Sequence, residues 1–334
     1  MSPPGLDRAD SIGWGVLGTA AITRRRFLPA LGRAQGSHLA VLGSRSLERA
    51  REVVAEASGG RAVGSYEEVL ADPAVDAVYI ALPNVAHYQW ILAALAAGKH
   101  VLCEKSLVQT VAQVGEVARA AQAAGRVVME AFMYRFHPQY EPSTLDPLCA
   151  ELGEVVSAHC WTSYRYNPAA DRWQDQASRG GALWEIGCYC LDALAWRFGE
   201  VAEVRAAASP LAGQDLTVTT LQFTSGVLAT AWWSFSTARA KRFVFVGTKG
   251  TLELDRPFRP NGPAGIRIEA HRGIRTLEVP GDDCFRREIE HFAAVVRGRA
   301  TAAITLQDSA RWIAIAEEIQ RQLGYGKYVR VMRA

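Results

Sequence analysis

Short apolar runs alternate with helical stretches over the first 132 residues, and this alternation constrains the fold more than any other feature. The apolar runs lie at 12–17, 39–44, 77–82, 100–105 and 126–132. The helical stretches lie at 46–57, 67–71, 85–98 and 111–125. Continuous apolar runs are typical of strands that are buried on both faces. Strands that alternate with helices of this length predict βαβ units and a parallel sheet. We therefore expect a doubly wound α/β domain over 11–130.

The pattern changes after residue 134. The segments that follow either alternate apolar and polar residues or are continuously apolar. They lie close together in the sequence and are separated by turns such as Ser225-Gly226 and Lys249-Gly250. They lie at 155–166, 216–223, 227–236, 242–247, 251–254, 266–270 and 274–279. This spacing predicts an antiparallel meander, with helices at 181–197, 285–297 and 305–323. The sequence thus predicts a second, α+β domain over 131–334 with one large, open, mostly antiparallel sheet. Its many aromatic residues favour a homodimer or homotetramer formed through the face of that sheet.

Charge and composition exclude several classes of partner. Lys and Arg total 37 against 34 Asp and Glu, so the net charge of +3 is too small for a nucleic-acid-binding face. The most apolar stretch, 77–97, is interrupted by polar residues and by Pro83, so no membrane span is expected. The six cysteines lack CxxC spacing, which predicts no metal site. With no signal peptide visible, we expect a cytoplasmic protein.

The first predicted strand is followed by Gly18-Thr19-Ala20-Ala21-Ile22, which opens a helix. A Rossmann turn needs a tight bend and a close backbone approach, so that the helix amides face a pyrophosphate. Gly18 supplies the bend, and alanines replace the second and third glycines. We expect residues 18–22 to bind a dinucleotide, although such a turn could also simply join a strand to a helix.

The end of the second predicted strand indicates which dinucleotide is bound. NAD sites usually place a carboxylate there for the ribose 2′-hydroxyl, whereas NADP sites need a cation and small hydroxyls. Here Ser44 and Arg45 follow the strand, the first carboxylate is Glu48, and Arg49 is close by. This favours NADP(H) over NAD(H). The alternative is that Arg45 is an ordinary solvated arginine.

Four stretches resemble the Gfo/Idh/MocA (glucose–fructose oxidoreductase/inositol dehydrogenase) family. They are 82–106, 129–139, 180–194 and 247–260. The resemblance implies a Rossmann domain that binds NAD(P) and a C-terminal domain whose open sheet holds the substrate and often forms the dimer. Family members oxidise alcohols or reduce ketones, mostly of sugars and cyclitols. The turn at 18–22, the helix after it and Ser44-Arg45 most resemble the sugar 3-ketoreductases of deoxysugar biosynthesis, which use NADPH on nucleotide-linked keto sugars.

Lys105 is the first predicted catalytic residue. It stands at the carboxyl end of a predicted parallel strand, where open α/β sheets bind their ligands. Glu104-Lys105-Ser106 resembles the family's Glu-Lys-Pro triplet, whose lysine lies beside the nicotinamide and the substrate hydroxyl; Ser106 departs from proline. A buried lysine has a lowered pKa and can donate a proton near neutral pH. The alternative is a structural ion pair between Lys105 and Glu104.

Glu185 and Tyr189 are the other predicted catalytic residues. They are four apart on one predicted helix, so they are expected to share a face. The family has Asp and then His or Tyr at these places. The resemblance makes Tyr189 a proton donor or a substrate-orienting group, and Glu185 differs from the pattern by one methylene. Without the resemblance, Tyr189 would be an ordinary helix aromatic.

The resemblance also implies further binding residues. The positions that line the cofactor in relatives are Tyr66, Leu82, Pro83, Asn84, His87, Glu104, Lys105, Arg172 and Trp173. His87 could equally be a structural histidine. Arg25 and Arg26, one turn into the first helix, could meet a substrate phosphate or simply form a solvated face.

These observations predict an NADP(H)-dependent oxidoreductase. It would reduce a ketone, or oxidise the alcohol, of a sugar, nucleotide-sugar or cyclitol by hydride transfer. One alternative is an aldose or trans-dihydrodiol dehydrogenase of the same fold. Another is a non-catalytic NAD(P)-binding regulator, for which only Glu185 and Ser106 argue.

Overall fold

The structure is a computed structural model that describes residues 11–57, 59–165, 181–209, 216–258, 262–271 and 273–324. The chain forms two compact units. The first contains the chain up to Val108, then Ala112–Met133 and Asp283–Leu306. The second contains Gln109–Val111, Tyr134–Asp282 and the chain from Gln307. The return of 283–306 to the first unit is not indicated by the sequence pattern, which assigns all of 131–334 to a second domain.

The first unit is built on a six-stranded sheet in the order β3-β2-β1-β4-β5-β6. The strands are β1 (Ile12–Leu17), β2 (Ser37–Gly43), β3 (Arg61–Val63), β4 (Ala77–Ile80), β5 (His100–Glu104) and β6 (Val128–Ala131). All five pairings are parallel, which confirms the predicted Rossmann sheet. Only β3 was not predicted, because three residues are too few to show a periodicity.

Helices connect these strands as the sequence predicts. The first runs over 21–31 and contains a π-helical turn, Thr23–Phe27. The others are Leu47–Ala55, Tyr66–Ala71, Asn84–Ala96 and Val111–Ala124. Ser46 caps its helix as residue type and position suggest, because its Oγ accepts a hydrogen bond from the Arg49 amide at 3.3 Å.

The returning helix, Cys284–Val296, completes the core of the first unit. Trp14 of β1 is fully buried and contacts Phe27 and Phe292, with ring centroids 5.5 and 5.3 Å away. Phe27 in turn stacks on Tyr79 of β4 at 3.7 Å. The aromatic cluster therefore joins the sheet, the first helix and a segment about 270 residues further along the chain.

The second unit is built on an eight-stranded sheet in the order β14-β13-β12-β11-β7-β10-β9-β8. The strands are β7 (Val155–Ser163), β8 (Val201–Ala208), β9 (Thr217–Phe223), β10 (Leu228–Ser234), β11 (Ala240–Gly247), β12 (Gly250–Leu254), β13 (Ala264–Ala270) and β14 (Gly273–Val279). All pairings are antiparallel except β7 with β10. The predicted antiparallel sheet is confirmed, but β7 is inserted into the middle of the meander.

In the part of the chain that the structure describes, helices cover one face of this sheet and leave the other open. The helix over 181–198 lies against β7 and β10, and Trp184 from it contacts Trp312 of the helix Leu306–Leu323 at 5.6 Å. On the open face Trp161 and Trp232 stack with centroids 6.2 Å apart. Among the described residues, no helix is long and apolar enough to cross a membrane.

Candidate active site

The turn after β1 leaves room only for glycine. Gly18 has φ +104°, and a Cβ there would lie 2.8 Å from the Ala81 carbonyl oxygen and 2.9 Å from Leu82 Cδ2. Its amide donates to the Gly43 carbonyl at 3.0 Å, so the ends of β1, β2 and β4 meet at this point. The first amides of the following helix, which begins at Ala21, lack carbonyl partners within the helix, as at any helix N-terminus, and such an end suits an anion. In this turn Ala20 and Ala21 are exposed, and Thr19 and Ile22 are half-buried.

The end of β2 carries positive charge and no carboxylate. Ser44 is buried and accepts a hydrogen bond from the Ser46 amide at 3.3 Å, while Arg45 and Arg49 are exposed. Burial raises the pKa of the Tyr66 phenol, and the adjacent Arg45 guanidinium opposes that rise. The Tyr66 ring also contacts Trp90, 5.0 Å between centroids. An exposed guanidinium at this strand end suits a 2′-phosphate.

Asn84, at the start of the helix after β4, carries an unsatisfied donor. The residue is 5% exposed, and its Nδ2 atom has no hydrogen-bond partner. A buried, unpaired amide is unfavourable unless a ligand accepts from it. Because β1 and β4 are neighbours at the point where the strand order reverses, Asn84 stands where open α/β folds bind dinucleotides. The turn at Gly18, which has no room for a side chain, and the unpaired Asn84 amide are therefore suited to bind an NAD(P) molecule.

His87 holds backbone rather than presenting a free nitrogen. It is fully buried, and its ring nitrogens face the Ser106 and Leu82 carbonyl oxygens at 2.7 and 2.9 Å. Both carbonyls can only accept, and a neutral imidazole carries one N–H, so the neutral ring donates to one of the two carbonyls at a time. His87 thereby connects the turn after β4 to the segment after β5.

Lys105 lies at the carboxyl end of β5 and is 7% exposed. The preceding Glu104 accepts a hydrogen bond from the Tyr79 hydroxyl at 2.6 Å. The Lys105–Ser106 peptide bond is cis although Ser106 is not proline. The Leu107 amide then donates to Glu130 of β6 at 2.8 Å. Glu104, directly before the lysine, and Leu107, two residues after it, are thus held by buried contacts.

A second buried acid, Glu288, lies near enough to Glu104 to be affected by its charge. It is fully buried on the helix Cys284–Val296, and neither carboxyl oxygen has a hydrogen-bond partner. Burial raises the pKa of Glu288 well above its usual range, and the charge of Glu104 raises it further. Both effects favour the protonated, neutral form of the Glu288 carboxyl group.

In the second unit, Glu185 and Tyr189 lie on the predicted helix, but not with α-helical spacing. Leu183–Gly187 is a π-turn, and the α-helix Cys188–Phe198 follows it. Glu185 is half-buried and Tyr189 is 4% exposed. The rule that residues four apart share a helix face is derived for a regular α-helix, so the relative direction of Glu185 and Tyr189 depends on how this turn is wound.

The Tyr189 ring and its helix are fixed by neighbours of the same unit. Tyr134 and Phe258 contact the ring, with centroids 6.0 and 5.3 Å away. Three residues further along the helix, Asp192 accepts hydrogen bonds from the Tyr134 hydroxyl and from Arg135, whose Nε lies at 3.0 Å. All three polar residues of this network are buried.

Within the first unit, the predicted residues gather at one edge of the sheet. Gly18, Ser44, Asn84 and Lys105 follow the carboxyl ends of four parallel strands. Arg25 and Arg26 are exposed on the π-turn of the first helix, where Arg24 pairs with Glu56. Arg172 and Trp173 lie outside the described residues.

Three residues that support the site were not predicted. Glu130 is a carboxylate inside the apolar run 126–132 and Tyr79 is a hydroxyl inside the run 77–82, so both carried a signal. No sequence signal indicated that Glu288 is buried. The many charged residues around it, in Arg-Arg-Glu-Ile-Glu-His-Phe, predict an amphipathic helix at the surface.

Comparison with known proteins establishes the class. Residues 12–132 match the family model GFO_IDH_MocA, described as an oxidoreductase family with an NAD-binding Rossmann fold. Residues 150–253 match the GFO/IDH/MocA C-terminal domain. The chain belongs to the Gfo/Idh/MocA family of oxidoreductases.

Its relatives cover nearly its whole length. D-xylose 1-dehydrogenase (NADP(+)) 2 of Haloferax volcanii is 35% identical over 302 residues, which are 89% of this chain and 92% of that protein. The dTDP-3,4-didehydro-2,6-dideoxy-alpha-D-glucose 3-reductase of Actinomadura kijaniata is 32% identical over 326 residues, covering 93% and 96%.

A solved 3-ketoreductase from Actinomadura kijaniata, in complex with NADP and TDP-benzene, superimposes with a TM-score of 0.85. It is 29% identical, and the match covers 94% of this chain and 98% of that chain. The same ketoreductase has also been solved with one lysine replaced and with one tyrosine replaced. The protein is an NAD(P)-dependent oxidoreductase. Its similarity to these enzymes does not support the alternative of a non-catalytic regulator.

Proposed function

We propose that the protein uses NADPH to reduce the keto group of a sugar, with nucleotide-linked keto sugars of deoxysugar biosynthesis as the first class to test. The observation that carries this proposal is the buried Lys105 at the carboxyl end of β5, directly after a glutamate held by Tyr79. When bound, NADPH supplies the hydride. The chain must bind both reactants and supply the proton.

In this proposal Lys105 protonates the carbonyl oxygen. Burial disfavours the charged form of a lysine, so its ammonium gives up a proton readily to an oxygen that gains negative charge. Tyr189 assists as a second donor or as an orienting group, and Glu185 binds a substrate hydroxyl. Arg25 and Arg26 meet a phosphate of the substrate.

The variants of the related ketoreductase support this choice of residues. The lysine and the tyrosine replaced there are 84 positions apart, and Lys105 and Tyr189 are also 84 positions apart. Equal spacing in a chain of the same fold supports treating the two pairs as equivalent in position.

The proposed cofactor preference rests on the end of β2. Residues 18–22 hold the pyrophosphate, and Asn84 donates its unpaired amide to the cofactor. Ser44, Arg45 and Arg49 hold the 2′-phosphate, since no carboxylate is present there to favour a free 2′-hydroxyl. Both the xylose dehydrogenase and the solved ketoreductase carry NADP in their names.

A second candidate is the oxidation of an aldose by the same site. The similarity to a D-xylose dehydrogenase is as high as the similarity to the ketoreductases, and hydride transfer runs in either direction. In that case Lys105 accepts the proton from the substrate hydroxyl.

We further propose that the protein acts in the cytoplasm as a homodimer or homotetramer formed through the open face of the second unit's sheet. Val218 and Leu228 on that face are 44% and 56% exposed. Light scattering of the wild type and of Leu228→Asp measures the assembly, and an unchanged mass for the variant speaks against this face.

The test of function combines two variants of Lys105 with a substrate panel. NADPH with keto sugars and NADP⁺ with aldoses are offered to the wild type, Lys105→Ala and Lys105→Met, the latter keeping much of the volume without the charge. We expect kcat to fall by about 10²- to 10⁴-fold in both variants, with NADPH binding retained by fluorescence titration.

Lys249→Met is the matched control, because Lys249 is exposed in the turn between β11 and β12. It should behave as the wild type. Turnover near the wild-type level in either Lys105 variant refutes the role proposed for Lys105.

A further inference from the structure

The helix that carries Glu185 and Tyr189 is wound irregularly between them. Among the described residues two π-turns occur, Thr23–Phe27 and Leu183–Gly187, and both lie in helices that carry predicted site residues. A π-turn takes up about one residue more than an α-turn, so side chains before it are rotated by about 100° relative to those after it. Glu185 lies within the turn at 183–187 and Tyr189 lies two residues after it, so the winding of this turn sets the relative direction of the two side chains.

Gly187, where this π-turn ends, is pressed against an indole. A Cβ at Gly187 would lie 2.7 Å from both Cδ2 and Cε2 of Trp233, and 3.1 Å from its Cγ. Backbone conformation does not require glycine here, because φ is −59° and ψ is −34°, which any residue adopts in a helix. Space alone requires it: the helix backbone rests directly on the ring.

Trp233 is suited to act as a fixed support. It belongs to β10, is fully buried, and its strand is paired on both sides, with Thr217 of β9 and Thr162 of β7 as partners. Its Nε1 has no hydrogen-bond partner, so the ring contributes through shape and not through a polar bond. Gly187 lies midway between Glu185 and Tyr189, two residues from each.

We propose that Trp233 is a positioning residue for the reaction: its indole, seated against Gly187, holds the π-turn and thereby the rotation of Glu185 and Tyr189. The inference rests on the roles proposed above for these two residues. It assigns Trp233 and Gly187 no contact with the substrate. The Tyr189 ring itself contacts Tyr134 and Phe258.

Gly187→Ala tests this directly, because helix propensity and packing predict opposite results. Alanine stabilises a helix interior relative to glycine, but here its methyl group displaces the helix from Trp233. We expect kcat to fall at least 10-fold, with NADPH binding within twofold of the wild type. Trp233→Leu removes the ring, so the double variant Gly187→Ala/Trp233→Leu should regain at least threefold in kcat over Gly187→Ala alone.

Gly115→Ala is the matched control. Gly115 is interior to the helix Val111–Ala124, and a Cβ there meets only the flexible end of Arg119 at 3.6 Å. The wild-type kcat is expected, with a melting temperature raised by about 2 °C.

A kcat for Gly187→Ala within twofold of the wild type overturns the proposal, as does a double variant no more active than Gly187→Ala. Should Gly187→Ala not accumulate as folded protein, Trp233→Leu alone decides: lowered kcat with unchanged NADPH binding supports the role, and unchanged kcat refutes it. Lys105→Ala is measured in parallel. If Lys105→Ala retains its turnover, the proposed function is refuted. If Lys105→Ala loses its turnover while Gly187→Ala keeps the wild-type kcat, only the positioning role is refuted.

Discussion

Replacing Glu288 by glutamine should stabilise the protein, and the gain should grow with pH. Glu288 is fully buried without a hydrogen-bond partner, and burial, followed by the charge of Glu104, raises its pKa in the folded chain. An acid whose folded pKa is raised contributes its stability below its unfolded pKa and loses it as pH rises above that value. Glutamine has nearly the same size and keeps polar atoms unpaired, but it carries no titrating proton.

The magnitude follows from the unfolded reference. With an ordinary pKa of 4.5, keeping Glu288 protonated costs about 1.4 kcal/mol for each pH unit above that value. This loss of folding free energy increases with pH until the pH reaches the pKa of Glu288 in the folded chain. It is about 1.4 kcal/mol at pH 5.5 and at most about 5 kcal/mol at pH 8. For a unit of this size, the latter corresponds to a melting temperature higher by about 10 °C in Glu288→Gln.

The assay is thermal unfolding of the wild type and Glu288→Gln between pH 5.5 and pH 8. Glu290→Gln is the matched control, because Glu290 lies on the same helix, is partly exposed and pairs with Arg286 at 2.8 Å. Loss of such a pair changes stability by less than about 1 kcal/mol. A difference between wild type and Glu288→Gln that does not grow with pH would show that Glu288 is not held protonated in the folded chain.

Two further substitutions test the cofactor site and the second unit. Arg45→Glu places a carboxylate where the 2′-phosphate is proposed to bind, so kcat/KM with NADPH should fall at least about 10-fold while that with NADH does not; equal losses with both cofactors contradict the assignment. Asp192→Asn removes the closer of the two carboxylates that pair with the buried Arg135, the other being Asp308 at 3.9 Å, and should destabilise the second unit by about 3–5 kcal/mol in thermal melting. A change below about 1 kcal/mol would mean that this ion pair does not hold the helix of Tyr189.

Much of the fold could be predicted from local pattern. The apolar runs at 12–17 and 77–82 became β1 and β4 because strands buried on both faces need apolar residues throughout. The parallel pairing of β7 with β10 could not be predicted. It depends on where the chain returns after two further strands, and no local pattern records that distance.

The candidate site divides in the same way. Gly18, Arg45, Asn84 and Lys105 could be located because each follows a strand, and parallel strands end at one edge of the sheet. His87 shows the limit, since only the structure shows its ring facing the carbonyls of Leu82 and Ser106.

The sequence by itself therefore determined the class of fold, the family and the residues at the strand ends, because these depend on periodicity and short motifs. Tertiary structure alone decided that Glu288 lies near Glu104 and that Gly187 rests on Trp233. Each of these pairs joins residues at least 46 positions apart. Whether an acid is buried beside another, or whether a position has room for a Cβ atom, depends on residues that are distant in the sequence. The identity of the residue itself does not indicate it.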